Sequence, residues 1–193
     1  MKKVTPKLII VVVILLVALV GYYAFLANQD KKAKEEASMT AVQEVLSRDM
    51  KYDYPATPKE VVKYYNTILK CFYNEECTDG DIEELGQRAR ELYDAELLEA
   101  NEFGPYMIRL REDIADYKEK ERKIANFAVS ASTNVDFFEE DGYSFARLMC
   151  TYNITEADKD SSFTRLAYLL RKDEENHWKI YGWQDAALLE ENQ

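Results

Sequence analysis

The feature that most constrains this chain is an uninterrupted apolar segment near its amino terminus, which reads LIIVVVILLVALVGYYAFL. The segment begins at Leu8, ends at Leu26 and contains no charged side chain. Nineteen residues in a helix span about 28 Å, which is close to the roughly 30 Å hydrocarbon core of a bilayer. The segment therefore predicts a single membrane span, and any soluble fold must be built from the residues that follow it.

A cleaved signal peptide is the alternative interpretation of this segment. The apolar part of such peptides is about 7 to 15 residues long and ends in a small-x-small cleavage site. This segment is longer, and cleavage after Ala27 would place Phe25 where a small residue is needed. We therefore expect an uncleaved signal anchor, with residues 1–7 as a cytoplasmic tail and residues 8–27 as the transmembrane helix.

Lysines flank the segment on both sides, so the positive-inside rule decides little about its orientation. A short tail followed by a translocated carboxyl-terminal domain is the usual signal-anchor arrangement. We therefore expect a single-pass protein of the cell membrane whose carboxyl-terminal domain is extracytoplasmic. The lipid bilayer, contacted by the segment from Leu8 to Leu26, is its first predicted partner.

The chain beyond the apolar segment is strongly acidic. Residues 35–193 contain 19 Lys and Arg and 35 Asp and Glu residues, a net charge of −16. A domain with this charge repels polyanions, and no basic stripe interrupts it. Nucleic-acid binding is therefore excluded as a function.

Residues 28–54 are predicted to form a helical stalk or linker, and residues 55–193 the folded domain. The stalk carries a narrow apolar stripe at helical spacing, made by Met39, Val42, Val45 and Leu46. Such a stripe could pair with a partner helix or pack against its own domain.

Three helices are predicted at the start of the folded domain. Thr57, Pro58 and Glu60 form the N-cap, first-turn proline and reciprocal glutamate of a capping box. A second helix follows Asp79, and a third follows the sequence NEFGP. The sequence DGDIEE that begins the second helix lacks the glycine position of an EF-hand loop, so its acidic residues are interpreted as a helix N-terminus.

The hydrophobic period then changes from that of a helix to that of a strand. Alternating apolar residues over residues 127–137 predict one long strand, and Asp141 with Gly142 predicts a hairpin turn. Further strands are predicted over residues 144–155, over residues 163–172 and in the sequence HWKIYGWQD. The predicted fold class is α+β: an amino-terminal transmembrane helix, then three helices packed on a curved four-stranded antiparallel sheet.

This order of elements, ending in WKIYGWQD, resembles the nuclear-transport-factor-2-like fold, a cystatin-like cone of sheet wrapped around helices. The resemblance covers about residues 57–187. The chain also resembles uncharacterised single-pass bacterial proteins of unknown function built from an anchor and one such domain. Proteins of this fold include dehydratases, isomerases and many non-catalytic binding or assembly domains, so the resemblance implies a shape more than a reaction.

No catalytic, cofactor-binding or metal-binding residue is assigned, and no cofactor is expected. Strand alternation would place the only histidine, His177, on one face with Tyr181 and Trp183, whereas the tryptophans are interpreted as packing residues. Gly182 is expected to allow a bulge or a close ring contact. Enzymes of the resembled fold hold acids, tyrosines or histidines inside the cone, and five residues might face that interior: Asp113, Asp116, Tyr117, Tyr152 and Tyr168.

Two further sets of residues are candidates for other roles. Cys71 and Cys77 flank the sequence FYNEE, and they form a disulfide or stay free thiols depending on compartment and geometry. The second face of the middle strands mixes aromatic, Met, Leu and Arg residues, which is typical of an interface with a protein partner or in a homodimer. Its candidate residues are Phe145, Met149, Phe163, Leu169, Arg147 and Arg165. Packing of the stalk helix on this face and ordinary burial at a sheet edge are the alternatives.

The function expected from these observations is that of a membrane-anchored extracytoplasmic binding or assembly module without catalysis. The alternative is a dehydratase, isomerase or hydrolase that works inside the cone. A closed apolar cone would favour the first interpretation, and an open pocket with two or more converging polar groups would favour the second. A third interpretation is an oligomer that forms through the stalk, with the cone acting only as a spacer.

Overall fold

The domain is built around a long helix that lies across one face of an antiparallel sheet. The computed structural model describes Tyr22 and residues 39–190. The helices of this part of the chain are α1 (Ala41–Ser47), α2 (Pro58–Asn74), α3 (Asp79–Arg90), α4 (Ala95–Ala100), α5 (Phe103–Glu119) and α6 (Ala187–Glu190). The strands are β1 (Lys123–Val129), β2 (Asp136–Glu140), β3 (Tyr143–Glu156), β4 (Lys159–Lys172) and β5 (Trp178–Asp185).

Capping boxes set where helices α2 and α3 begin. Thr57 Oγ1 accepts the Glu60 backbone N–H, and Glu60 Oε2 accepts the Thr57 N–H, both at 3.2 Å. This confirms the predicted start of α2. Thr78 and Asp81 form the same reciprocal pair at α3, which accounts for the acidic first turn without a metal ion.

The core lies between α2 and the inner face of the sheet, the face turned toward the helices. Ile68 and Phe72 of α2 are fully buried, as are Leu170 and Ile180 of the sheet. Val42 and Val45 of α1 belong to the same core. Leu46 packs against this core. Three of the four residues of the predicted stalk stripe therefore pack on the domain, which was one of the two alternatives.

The predicted sheet of four strands is wrong, because the sheet has five. The order of the main path is β1-β3-β4-β5, and β2 pairs with the remaining length of β3. The single strand predicted over residues 127–137 is divided by a 3-10 turn, Ser132–Asn134. The side chains of Ser, Thr and Asn can bond to nearby backbone groups, so these residues favour turns over regular strands. In this turn the Asn134 backbone N–H donates to the Ala131 carbonyl at 2.9 Å.

The division leaves the alternation of side chains unchanged. Val129 pairs with Cys150 and Asp136 pairs with Arg147, so four residues of the first strand are looped out. An even number of extra residues keeps the period of two in register. Phe127 and Phe137 therefore both point to the inner face, although they lie in different strands.

The predicted set of three helices is also incomplete. Helices α2, α3 and α5 correspond to it, and α4 is a short addition between α3 and α5. Asp94 caps α4 by accepting the Glu96 backbone N–H at 3.0 Å. Six residues give too little periodicity to distinguish such a helix from a loop in the sequence.

The predicted fold class also included an amino-terminal transmembrane helix, and this is a further correction. Among the residues that the structure describes, none of the helices is both long enough and apolar enough to cross a bilayer. The predicted span, residues 8–27, lies outside the described residues apart from Tyr22. A transmembrane helix is therefore not part of the fold described here.

One of the two hairpin turns around β3 was predicted, and the other was not. Asp141 and Gly142 have φ angles of 50° and 81°, as the predicted β2-β3 turn requires. The β3 and β4 strands extend further than predicted, because Glu156 pairs with Lys159 across a turn of two residues. Asp158 adopts a φ of 56° there, a conformation that Asp tolerates better than most residues.

A buried ion pair connects the helical half of the chain to the sheet. Asp94 is 4% exposed. Its carboxylate accepts hydrogen bonds from Arg171 Nε at 2.9 Å and from Arg171 Nη2 at 2.5 Å. The rings of Tyr143 and Tyr181 each lie 4.8 Å from the guanidinium carbon of Arg171. On either side of Tyr93, Leu92 and Asp94 exchange backbone hydrogen bonds with Ile180 at 2.7 and 2.9 Å.

We expect the substitution Arg171→Met to lower the free energy of unfolding by about 3 to 5 kcal/mol, because it leaves the Asp94 carboxylate buried and unpaired. Tryptophan fluorescence during urea unfolding of the full chain measures the change, since both tryptophans lie in β5. Arg165→Met, on the same strand and face but exposed, is the matched control and should change the free energy by less than about 0.5 kcal/mol. Equal effects of the two substitutions would show that the ion pair does not organise the fold.

Candidate functional site

A cavity of about 580 Å³ opens between the inner face of the sheet and helices α2 and α5. Each element contributes a stripe of side chains to it. Tyr65, Leu69 and Tyr73 stand one turn apart on α2, and Tyr106, Leu110, Asp113 and Tyr117 follow the same spacing on α5. Alternate residues of β3 and β4 complete the wall: Tyr152, Ile154, Thr164, Leu166 and Tyr168.

The floor of the cavity is made of buried tyrosines whose hydroxyl groups are bonded to one another. The hydroxyls of Tyr65 and Tyr93 lie 3.0 Å apart, and those of Tyr152 and Tyr168 lie 2.5 Å apart. Burial raises the pKa of all four hydroxyls, and interactions among the tyrosines raise those of Tyr65 and Tyr152 further. The floor therefore stays protonated and uncharged at neutral pH.

A β-bulge brings Trp183 into the cavity. Leu169 pairs with Gly182 and Leu170 with Ile180, so Tyr181 is an extra residue in β5. The extra residue reverses the alternation, and the Trp183 ring lies 5.6 Å from that of Tyr65. This confirms the bulge expected near Gly182, but it places Trp183 on the opposite face from the one that simple alternation predicted.

The mouth of the cavity carries the charged side chains. Glu112, Asp113 and Arg109 of α5 line it, and Arg109 Nη2 donates to Asn101 Oδ1 at 2.9 Å. Burial raises the pKa of the Asp113 carboxyl, and the neighbouring carboxylates of Asp116 and Glu112 raise it further, against the opposing effect of Arg109.

Four of the five residues considered for the cone interior line the cavity: Asp113, Tyr117, Tyr152 and Tyr168. The fifth, Asp116, instead makes ion pairs with Lys120 and Arg122. Five further aromatic residues line the cavity although none of them was predicted as a site residue: Tyr65, Tyr73, Tyr93, Tyr106 and Trp183. Their helical or alternating spacing marks them as inward-facing, but it does not distinguish a cavity wall from a solid core.

His177 lies outside the cavity lining. It precedes β5, and its ring stacks on that of Tyr54 with 4.3 Å between the centroids. Its Nδ1 is 3.5 Å from the Glu175 carboxylate. The only histidine is therefore a packing and turn residue that stands before β5.

All three cysteines are free thiols in the structure, and none of them lines the cavity. Cys77 Sγ donates to the backbone carbonyl of Cys71 at 3.3 Å. Burial raises the pKa of Cys71 to about 12 and of Cys150 to about 11, and it raises that of Cys77 as well. Thiols in this state are poor nucleophiles and poor metal ligands. The disulfide between Cys71 and Cys77 remains a prediction.

Among the described residues, no group of three or more His, Cys, Asp or Glu side chains could hold a metal ion.

The six candidate interface residues lie on the outer face of β3 and β4, the face turned away from the helices, as the pairing register requires. Phe145 is covered there, since Phe138 stacks on it at 5.5 Å and Tyr181 contacts it edge-on at 5.7 Å.

The other candidate interface residues differ in exposure. Arg147 pairs with Asp136 at 2.6 Å, and it lines a second cavity of about 630 Å³ together with Leu169. Phe163, in the amino-terminal half of β4, is 71% exposed. Arg165 is also exposed, and Met149 is half-buried. The interface remains a prediction, and its residues do not form one uniformly exposed patch.

Residues 1–183 match a protein family described as a domain of unknown function (DUF6715). The chain belongs to this family. The match includes every residue that lines the cavity of this DUF6715 protein. None of the curated proteins matches the chain.

We expect iodoacetamide to label the thiols of the folded DUF6715 chain slowly at pH 8, because a pKa of about 11 leaves Cys150 only on the order of 10⁻³ thiolate. After unfolding without reductant, mass spectrometry should count three labelled cysteines. A count of one would mean that Cys71 and Cys77 form the disulfide. The Cys150→Ser variant is the control, and it should lower either count by one.

Proposed function

We propose that this protein is a non-catalytic binding module that takes a small ligand into the tyrosine-lined cavity. The cavity itself is the observation that carries the proposal, because a concave, mostly apolar space with a few placed polar groups is the usual form of a ligand site. Its volume of about 580 Å³ lies within the range of about 300 to 1,000 Å³ typical of such sites.

Binding is favoured over catalysis by the chemistry of the lining. Its described residues include no His, Cys, Lys or Ser, so Thr164 is the only aliphatic hydroxyl that could act as a nucleophile. The described lining offers no histidine as a base for it, and the tyrosine hydroxyls of the floor are paired and protonated. A nucleophile without a base is inactive at neutral pH, whereas aromatic walls need no activation to bind a ligand.

One observation supports the alternative, an enzyme that uses the same cavity. The cavity is open and several polar groups converge on it, and the raised pKa of Asp113 suits a general acid or base. Turnover of a carbonyl or alcohol compound that is lost in Asp113→Asn would favour this second function. Binding without turnover would favour the first.

We expect Thr164→Trp to fill the cavity and to abolish ligand-induced stabilisation of the full chain. Thr164 stands on the inner face of β4, where its partner is Tyr152. The measurement is the thermal unfolding temperature across a panel of neutral, cationic and anionic small molecules, since a ligand at 100 times its Kd stabilises by about 2.7 kcal/mol.

Thr151→Trp is the matched control for this experiment. Thr151 is the neighbour of Tyr152 in β3, but it faces the outer side, where its partner is Arg165. This variant should keep every ligand response of the unmodified chain. If Thr164→Trp leaves those responses intact, or if no compound stabilises the unmodified chain, the cavity is not a binding site.

We further propose that the module is held at the cell membrane, on its extracytoplasmic side, through the apolar residues 8–26. The proposal is supported by the sequence alone, in which nineteen apolar residues precede an acidic domain. An acidic domain is repelled by an anionic lipid surface, so it is expected to stand away from the membrane to which it is attached.

We expect the full chain to stay with the membrane fraction after washing at alkaline pH, and a variant lacking residues 1–27 to be released. Protease added to intact cells should degrade the carboxyl-terminal domain. Release of the full chain by the wash would contradict membrane attachment, and protection from protease would contradict the extracytoplasmic position.

A further inference from the structure

We propose that the ligand of the cavity is an organic cation of the ammonium class, held by the ring faces of the tyrosines and Trp183 and by the carboxylate of Asp113. The inference rests on the proposed function, since it assumes that the cavity binds a ligand. It adds the chemical class of that ligand.

The aromatic content of the cavity wall is the first observation. Of the 18 described residues that line it, eight are aromatic: Tyr65, Tyr73, Tyr93, Tyr106, Tyr117, Tyr152, Tyr168 and Trp183. The ring of Trp183 stands within about 6 Å of three of these tyrosine rings, at 5.6, 5.9 and 6.1 Å between centroids. These contacts pack Trp183 among the tyrosines of the wall. A neutral aromatic ring attracts a cation to its negative face, so a wall rich in such rings suits a substituted ammonium group.

The charges at the mouth point to the same class of ligand. Glu112 and Asp113 contribute two carboxylates, whereas Arg109 is the one cationic side chain among the described residues of the lining. The Arg109 guanidinium already donates to the Asn101 side chain. Among the described lining side chains, carboxylates therefore outnumber cations two to one, which favours a cation over an anion.

The electrostatic state of Asp113 also favours a cation. Arg109 is the cationic group that acts on this carboxyl. The other groups that interact with it are acidic or neutral: Asp116, Glu112 and Tyr117 on α5, and Tyr73 on α2. Burial, followed by these carboxylates, raises the pKa of Asp113. A bound cation would supply the missing positive charge, so cation binding and ionisation of Asp113 should reinforce each other.

The rings at the mouth already attract cations from the chain itself. The guanidinium carbon of Arg122 lies 5.1 Å from the centroid of Tyr117, and that of Arg90 lies 5.6 Å from the centroid of Tyr106. A carbohydrate would also stack on such rings, but it needs hydrogen-bonding groups for its hydroxyls. In the floor, those groups are occupied with each other, as between Tyr65 and Tyr93.

Calorimetric titration of the full chain in a non-ionic detergent tests the proposal. The probes are tetramethylammonium, choline and benzyltrimethylammonium, each beside its neutral isostere with a tert-butyl group in place of the trimethylammonium group, and glucose. We expect at least one cation to bind about tenfold or more tightly than its isostere, since desolvated cation–π contacts and a facing carboxylate act only on the charged compound.

Two pairs of variants locate the interaction. Asp113→Asn should weaken cation binding about five- to tenfold, whereas Glu119→Gln, on the same helix but outside the lining, should leave it unchanged. Trp183→Phe keeps a ring and should retain most of the affinity, whereas Trp183→Leu should lose about fivefold. Trp183 is 41% exposed, and Trp178 remains in each of these variants to report folding by its fluorescence.

The outcomes separate this inference from the function on which it rests. Equal binding of a cation and its isostere, tighter binding of glucose, or an unchanged affinity in Asp113→Asn would overturn the cationic ligand and leave a binding cavity in place. If none of the three cations binds, the inference is wrong. If the wider panel also fails to stabilise the chain, the binding function is wrong as well.

Discussion

The buried pair of Asp94 and Arg171 is the constraint on which the position of the helices over the sheet depends. Its two charges are taken out of water, so they are tolerated only because the contact is bidentate and the carboxylate also caps α4. The flanking hydrogen bonds to Ile180 leave the intervening segment no freedom to slide. Tyr93 lies in that segment, and its ring is thereby fixed against Tyr65 in the cavity floor.

The cavity is a gap between the helices and the sheet that large side chains enclose but do not fill. Strands β3 and β4 have 14 residues each, and five of their inner-face residues form one wall of the gap: Tyr152, Ile154, Thr164, Leu166 and Tyr168. Large aromatic side chains on α2, α5 and β5 enclose the rest, which leaves a space lined by rings.

Much of the fold could be predicted from local chemistry, because the deciding interactions lie within a few residues of one another. The Thr57 capping box and the Asp141–Gly142 turn are of this kind, and the alternation along β3 needs only its own period. The bulge at Tyr181 is different. It depends on how β5 pairs with β4, a contact between distant parts of the sequence, and no local pattern near Gly182 indicates which residue is extra.

The candidate site was harder to predict than the fold for a related reason. A tyrosine at an inward position of α2 has the same spacing whether it packs in a solid core or lines a cavity, so Tyr65 and Tyr73 carried no signal of their own. The short α4 helix was not predicted, because its six residues include no buried side chain and its cap, Asp94, is held by the distant Arg171. Likeness to the nuclear-transport-factor-2-like fold predicted an interior space, and it remains a prediction.

The acidic composition and the aromatic cavity act on a ligand in the same direction. A net charge of −16 over residues 35–193 attracts cations at distances of about a Debye length, roughly 8 Å at physiological salt. Inside the mouth, a cation would interact with the carboxylate of Asp113 and then with the ring faces, which carry no charge and need no counter-ion. Because the floor tyrosines stay neutral, they would attract a bound cation through their quadrupoles and not as phenolates. A cation would therefore lose its hydration in steps, each compensated by a closer and less hydrated negative surface.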